Sequence, residues 1–251
     1  LKRDNIQEQQ EKFALRAEHE TQLLRIAGHV TGRTEFDRKA ALRVHPSIQY
    51  HSMNETMRSN FYEGETWNEE NCQPHRIFVS QGNYPLKGLH KVLEALPLIR
   101  EMYPDVTVHV AGDVITAHGT WKEKLKISSY GKYLLDLMKK NQCTGQVTFL
   151  GKLDAEQMKQ EYLQANVFVS ASSMENSSNS IGEAMLLGVP VVSSRVGGLE
   201  SLLTDEQDGL FYHFSDEKEL ARRVMRVFED KELAEKLSDN GKTRALQTHD
   251  P

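Results

Sequence analysis

Val167-Phe168-Val169-Ser170-Ala171-Ser172-Ser173-Met174-Glu175-Asn176-Ser177-Ser178-Asn179-Ser180-Ile181-Gly182-Glu183-Ala184-Met185 runs from a short apolar block, through a small and polar loop, into a helix start. A four-residue apolar block without alternation, Val167 to Ser170, reads as a strand buried on both faces. Its loop opens directly onto a helical pattern, Ile181 to Leu187, which Gly188 ends. Strand, loop and helix repeat outward in both directions. Toward the N-terminus, Ala155 to Leu163 reads as a helix, Val147 to Leu150 as a strand, Tyr130 to Lys140 as a helix and Val106 to Ala111 as a strand. Before them, Leu89, Val92, Leu93, Leu96 and Ile99 recur at helical spacing after a strand at Ile77 to Ser80. Toward the C-terminus come strands at Pro190 to Ser193 and Gly209 to Tyr212, then amphipathic helices near 216–229 and 231–247. Such alternation predicts an α/β fold, a Rossmann-like parallel sheet with helices on both faces. Ligands of these sheets bind at the carboxyl ends of the strands, so the loops that follow each strand carry the function.

The alternation covers 76–251, read as one domain. Residues 62–75 are polar and aperiodic and read as a linker. Residues 1–61 hold a helix-prone stretch over 1–27, a strand near His29 to Gly32 and a helix over Glu35 to Val44, stopped before Pro46. Read together, they form the remnant of a preceding α/β domain. A first residue Leu1 and an end at Pro251 straight after a helical pattern suggest a fragment. A net charge of -5 gives no global attraction to nucleic acid or an anionic membrane. Two cysteines, Cys72 and Cys143, are too few for a disulfide framework and fit a reducing, cytoplasmic setting.

In the deciding loop, the bare N–H groups of the first helical turn around Ser177, Ser178, Asn179, Ser180 and Ile181 form a ready anion site. Gly182 leaves that turn bare for close approach of a ligand. Glu175 and Glu183 flank it, and carboxylates accept hydroxyl protons from a sugar or a ribose. A second reading stands beside this one: Ser180-Ile181-Gly182-Glu183 fits a capping box, in which the glutamate only closes the helix end. Glu175 equally fits a plain solvated loop residue. In the loop Gln81-Gly82-Asn83-Tyr84-Pro85-Leu86-Lys87-Gly88, Lys87 lies near a helix start, where the dipole disfavours a cation unless it meets an anion. Gly197-Gly198 allows close approach to a ligand, or makes a tight turn only. The same holds for Gly151-Lys152 and Gly112-Asp113.

Other chemistries fit poorly. The chain has no phosphate-binding G-x-x-x-x-G-K-[ST], no G-x-G-x-x-G, no G-x-S-x-G and no Asp-x-Asp. Cys72 and His75 have a ligand-like gap without a second pair, so no metal site is expected.

In order along the chain, these loops resemble the GT-B retaining glycosyltransferases of group 1, also called family 4. The resemblance rests on Pro85-Leu86-Lys87-Gly88-Leu89, on Val147 to Gly151, on Glu175 and Glu183 eight residues apart, and on Gly188-Val189-Pro190-Val191-Val192 through Gly197-Gly198-Leu199-Glu200 with Asp208-Gly209. It spans about residues 76–245. The resemblance implies a nucleotide-sugar donor domain in 76–251, with 1–61 the end of an acceptor domain. Val30 to Thr34 and Tyr50 to Glu55 resemble a bacterial subgroup that builds surface polysaccharides. By that resemblance Glu183 binds the ribose and Glu175 the transferred sugar. Lys87 and the N–H groups around Ser177 to Ile181 neutralise the diphosphate without a metal or cofactor. Backbone near Gly151 and Lys152 reads the base, and Gly82, Gly197 and Gly198 line the donor. The family carries an arginine five or six residues before its lysine; Gly82 and Gln81 stand there, and Arg195 is a candidate substitute. The implied reaction moves a hexose to a glycan or lipid-linked acceptor, with any peripheral membrane contact made through the N-terminal half. A GT-B sugar-nucleotide epimerase, or a chain that only binds sugar nucleotide, remains an alternative.

Overall fold

A computed structural model describes residues 6–116 and 127–250. The chain forms two compact units that part between Asn54 and Glu55.

The first unit holds α1 (Ile6–Ile26), β1 (His29–Gly32), α2 (Glu35–Val44) and β2 (Gln49–Ser52). The two strands pair in parallel, with His29 opposite Gln49. α2 begins where Thr34 and Asp37 exchange side-chain and backbone hydrogen bonds, a capping box that satisfies two of the otherwise orphaned N–H groups. The Tyr50 hydroxyl closes this turn by donating to Asp37. Along α1, Phe13, Leu23 and Ile26 remain exposed, so its helical form does not come from burial of that apolar edge.

The second unit contains β3 (Arg76–Val79), α3 (Leu89–Met102), β4 (Thr107–Ala111), α4 (Ser129–Lys140), β5 (Val147–Gly151), α5 (Ala155–Gln164), β6 (Val167–Ser170), α6 (Asn179–Leu186), β7 (Val191–Ser194), β8 (Leu210–Tyr212), α7 (Glu217–Glu229) and α8 (Lys231–Thr248). Six strands lie in the order β5-β4-β3-β6-β7-β8. Every neighbouring pair is parallel. Residues of β3, β6 and β7 are buried along their whole length, as the unalternating apolar runs require. The order reverses between β3 and β6, where Ile77 lies opposite Val167. In a doubly wound sheet the crevice at such a reversal, beyond the carboxyl ends of its two strands, is where a ligand binds. Here the loops after β3 and β6 form that crevice, and they are the two that carry Lys87 and Glu175.

The region expected to be a linker is part of this unit. Met57, Phe61, Trp67 and Cys72 belong to the same apolar core as the sheet. The indole N–H of Trp67 donates to the carbonyl of Ala165 at 2.8 Å, and the backbone N–H of Trp67 donates to Leu187 at 2.7 Å. Polar composition over 62–75 hides two anchors, and a buried Trp with its N–H satisfied outweighs many solvated neighbours. The expected division into 1–61 and a linker over 62–75 therefore does not match the compact units, which part at 54.

Candidate active site

The loop after β3 is shaped by glycine. Gly88 takes a left-handed φ of 69°, and a Cβ there would collide with the Ala171 carbonyl. Ser173 N–H donates to the Leu86 carbonyl at 2.8 Å, which joins the two loops of the crevice. Lys87 closes a single turn of 3-10 helix, Pro85–Lys87, and its ammonium group lies 2.6 Å from Glu175 Oε2. Ser172 Oγ donates to the same oxygen at 3.3 Å. The anion that Lys87 meets is thus the carboxylate that the resemblance assigned to the sugar.

Glu175 is placed from behind by the other glycine pair. Gly198 N–H donates to the Glu175 carbonyl at 3.0 Å, and Gly197, at φ 55°, leaves no room for a Cβ against that carbonyl. Gly197 and Gly198 therefore shape the Glu175 loop by close backbone approach, a second route by which a strand-end glycine serves a site. Gly82 is likewise buried against Val110 and Leu89 and works as packing.

The capping box does not form at Ser180 and Glu183. α6 starts two residues earlier than the pattern predicts: Ser178 is the N-cap, and its Oγ accepts from Ile181 N–H at 3.4 Å. Glu183 lies beyond the N3 position that a capping box needs. Its side chain is 11% exposed and meets Arg58 Nη2 at 2.7 Å. Tyr162, fully buried, donates its hydroxyl to the Ser180 carbonyl at 3.0 Å and lies 3.4 Å from Glu183 Oε2. Burial pushes the Glu183 carboxyl above its ordinary range, and the Arg58 guanidinium offsets part of that. Gly182 does not bare the helix for a ligand, because the ring of His249, from the end of α8, fills the space a Cβ would take. Ile181 itself is a core residue.

The remaining expected residues lie around these. Asn179 Nδ2 donates to Glu55 at 2.9 Å, and the Ser178 and Ser180 hydroxyls are 3.0 Å apart. Ser177 is half-buried. Gly151 ends β5 with φ 78°, and Lys152, exposed, pairs with Asp113 at 3.0 Å. Arg195 is held by Glu200 at 3.0 Å and Asp205 at 2.6 Å, with its guanidinium over the Phe211 ring, so it is engaged elsewhere. Arg58 is the residue that sequence reasoning missed. Its stretch has no periodicity, and only the fold brings it to a glutamate 125 positions away.

The crevice thus combines two carboxylates, two cations and a helix N-terminus at the sheet's reversal point. Among known proteins, the family model "Glycosyl transferases group 1" matches residues 67–244. Spore coat protein SA of Bacillus subtilis is 28% identical over 164 residues, covering 64% of this chain and 41% of that protein. An uncharacterized glycosyltransferase of Methanocaldococcus jannaschii is 31% identical over 166 residues, covering 66% of this chain and 38% of that protein. The crystal structure of Anabaena HepE in complex with UDP and glucose superposes with a TM-score of 0.74 at 21% identity, covering 89% of this chain and 60% of that one. The chain spans about two fifths of the length of these curated relatives.

Proposed function

The chain belongs to the group 1 glycosyl transferases and has their GT-B fold, and from that premise we propose that it supplies the donor site of a retaining hexosyltransferase. The donor is a nucleotide-diphosphate sugar, and the acceptor a glycan or lipid-linked glycan of a polysaccharide pathway. The observation that carries this reading is the meeting of Lys87 with Glu175 at 2.6 Å across the loops after β3 and β6. Two loops 88 positions apart converge there, at the place where a doubly wound sheet binds its ligand. The UDP and glucose bound by the HepE structure support a nucleotide-sugar donor.

In this mechanism Lys87 exchanges Glu175 for the departing diphosphate. Charge grows on that phosphate in the transition state, and a fixed cation in a crevice stabilises it most there. Glu175, released, accepts hydrogen bonds from hydroxyls of the transferred sugar and fixes its orientation. Glu183 accepts from the ribose. Backbone beside Gly151 and Lys152 contacts the base, and the N–H groups at the start of α6 complete the diphosphate cradle. The reaction needs no divalent metal and no cofactor. The acceptor binds a separate N-terminal domain of which residues 1–54 are a part, so this chain alone binds donor without turnover. Calorimetric titration of UDP, GDP and ADP, with and without EDTA, tests the reading. Binding that survives chelation supports it, and no binding of any of the three overturns it. Radiolabel transfer from donor to acceptor, by protein carrying the acceptor half, separates a transferase from an epimerase.

A further inference from the structure

Resting on that donor-site reading, we propose that Arg58 is a ligand of the donor's diphosphate. It is supplied by the segment that enters the domain, in place of the basic residue absent at Gln81 and Gly82. The need is electrostatic. A multiply charged diphosphate in the crevice meets Lys87, while the loop after β3 holds no second cation. Arg195 is bound to Glu200 and Asp205 and stacked on Phe211.

Arg58 is placed to fill the gap. Its segment runs along the first turns of α6: Asn179, the first residue of the helix, donates to Glu55, and Arg58 reaches Glu183 four residues further on. At 1.5 Å per residue these two points are about 6 Å apart, a span that an arginine side chain covers by changing rotamers. The backbone beneath it is fixed. Phe61 is buried in the core, and Lys159 donates to the carbonyls of Asn60 at 2.8 Å and Glu63 at 2.6 Å. The head is half in solvent: the Arg58 side chain is 45% exposed against 11% for its partner, and its guanidinium lies over the Phe61 ring, 4.8 Å from the centroid. A planar guanidinium on a fixed base, half in solvent, is suited to bidentate phosphate binding.

The exchange also keeps every charge matched. In the structure each carboxylate is covered by a cation, Glu175 by Lys87 and Glu183 by Arg58. A buried carboxylate stripped of its cation is costly. When the diphosphate takes both cations, hydroxyls of sugar and ribose replace them at the two glutamates, and the Tyr162 hydroxyl stays beside Glu183.

Titration of UDP, GDP and ADP into the wild-type chain and into R58Q, E183Q and R58Q/E183Q tests this. For whichever nucleotide binds the wild type most tightly, R58Q should lose about ten-fold or more in affinity, as expected for a hydrogen bond between charged groups. The double variant should bind about ten-fold more weakly than E183Q, for the same reason. An arginine that only steadies Glu183 has nothing to steady in the E183Q background, so equal affinities of E183Q and R58Q/E183Q would overturn the proposal. Should R58Q melt below the titration temperature, R58K takes its place in the same cycle. Loss of the bidentate fork should again weaken binding beside E183Q, and no loss overturns the proposal. A wild type that binds none of the three nucleotides overturns instead the donor-site reading on which it rests.

Discussion

Glu175 and Glu183 are the same residue type, eight positions apart, and each is covered by one cation, yet they are held in different ways. Glu175 sits on a loop. Its place is set by backbone contacts from Gly197 and Gly198 behind it and by Lys87 in front. Glu183 sits on α6 itself, one turn from a capped start, with Tyr162 and Arg58 around it and a carboxyl raised by burial. A loop can bring a carboxylate up to a reacting centre and let it shift. A packed helix fixes one against a part of the ligand that does not react. Under the proposed function, that difference makes Glu175 the candidate for turnover and Glu183 the candidate for binding.

Turnover gives the largest expected separation of the two. Glu175→Gln, measured on protein that carries the acceptor half, should lower the transfer rate by about 10²-fold, the effect of misplacing the transferred sugar at the reacting centre. Nucleotide affinity should hold within a few-fold. An equal loss of affinity and turnover would erase the distinction. Glu183→Ala should show the reverse pattern, with nucleotide affinity about ten-fold lower or more through loss of a charged hydrogen bond. The maximal transfer rate at saturating donor should change little. Calorimetry and steady-state kinetics on the same two variants decide both.

The next effect tests how Glu175 is held. Gly197→Ala forces a side chain into a left-handed conformation and against the Glu175 carbonyl. Strain of that kind costs about 1–3 kcal/mol. The melting temperature should fall, and the transfer rate should fall with it, because the displaced carbonyl belongs to the loop that carries Glu175. A lower melt with full turnover would show that the loop's position does not matter. Ser178→Ala addresses the corresponding support of Glu183. Loss of the N-cap should cost about 0.5–2 kcal/mol. The melt should drop while nucleotide affinity stays within a few-fold, because Glu183 is anchored further along the helix.

Much of this was legible in the sequence, and the limits have physical causes. The strands at Val167 to Ser170 and Val147 to Leu150, and the helices around them, follow from short apolar runs and from periodicity, and they lie where expected apart from a residue or two at their ends. The position of Lys87 near a helix start pointed to an anionic neighbour, and in the structure a carboxylate, Glu175, stands there. What the sequence misplaced was decided by distant packing. Ser178, not Ser180, caps α6, and the two serines look alike without the loop's path. Gly182 is small to admit His249, which is 67 positions away and signals nothing locally. Trp67 reads as one aromatic residue in a polar stretch until Ala165 arrives to accept its N–H. Arg58 and Glu183 meet only through the fold.

The smallest effect concerns charge alone and probes how deeply Glu183 is set. Its carboxyl is raised above the ordinary glutamate range, first by burial, with Arg58 opposing. A carboxyl with a raised folded-state pKa binds more protons folded than unfolded at pH values between its unfolded and folded pKa. The slope of stability with pH is therefore negative in that window, and the group's contribution declines as pH rises. The window opens near the ordinary glutamate value, about 4.3, and closes at the folded value above it. Glu183→Gln removes this titration while keeping the shape. The stability of wild type minus that of E183Q should therefore fall as pH rises through the window and flatten beyond it. Denaturant melts of both proteins across that range measure the difference and cancel every other titrating group. A difference that rises with pH instead would mean that Arg58 outweighs burial in the folded chain. Glu183 would then be held by its ion pair more than by burial, and the contrast between the two glutamates would rest on position alone.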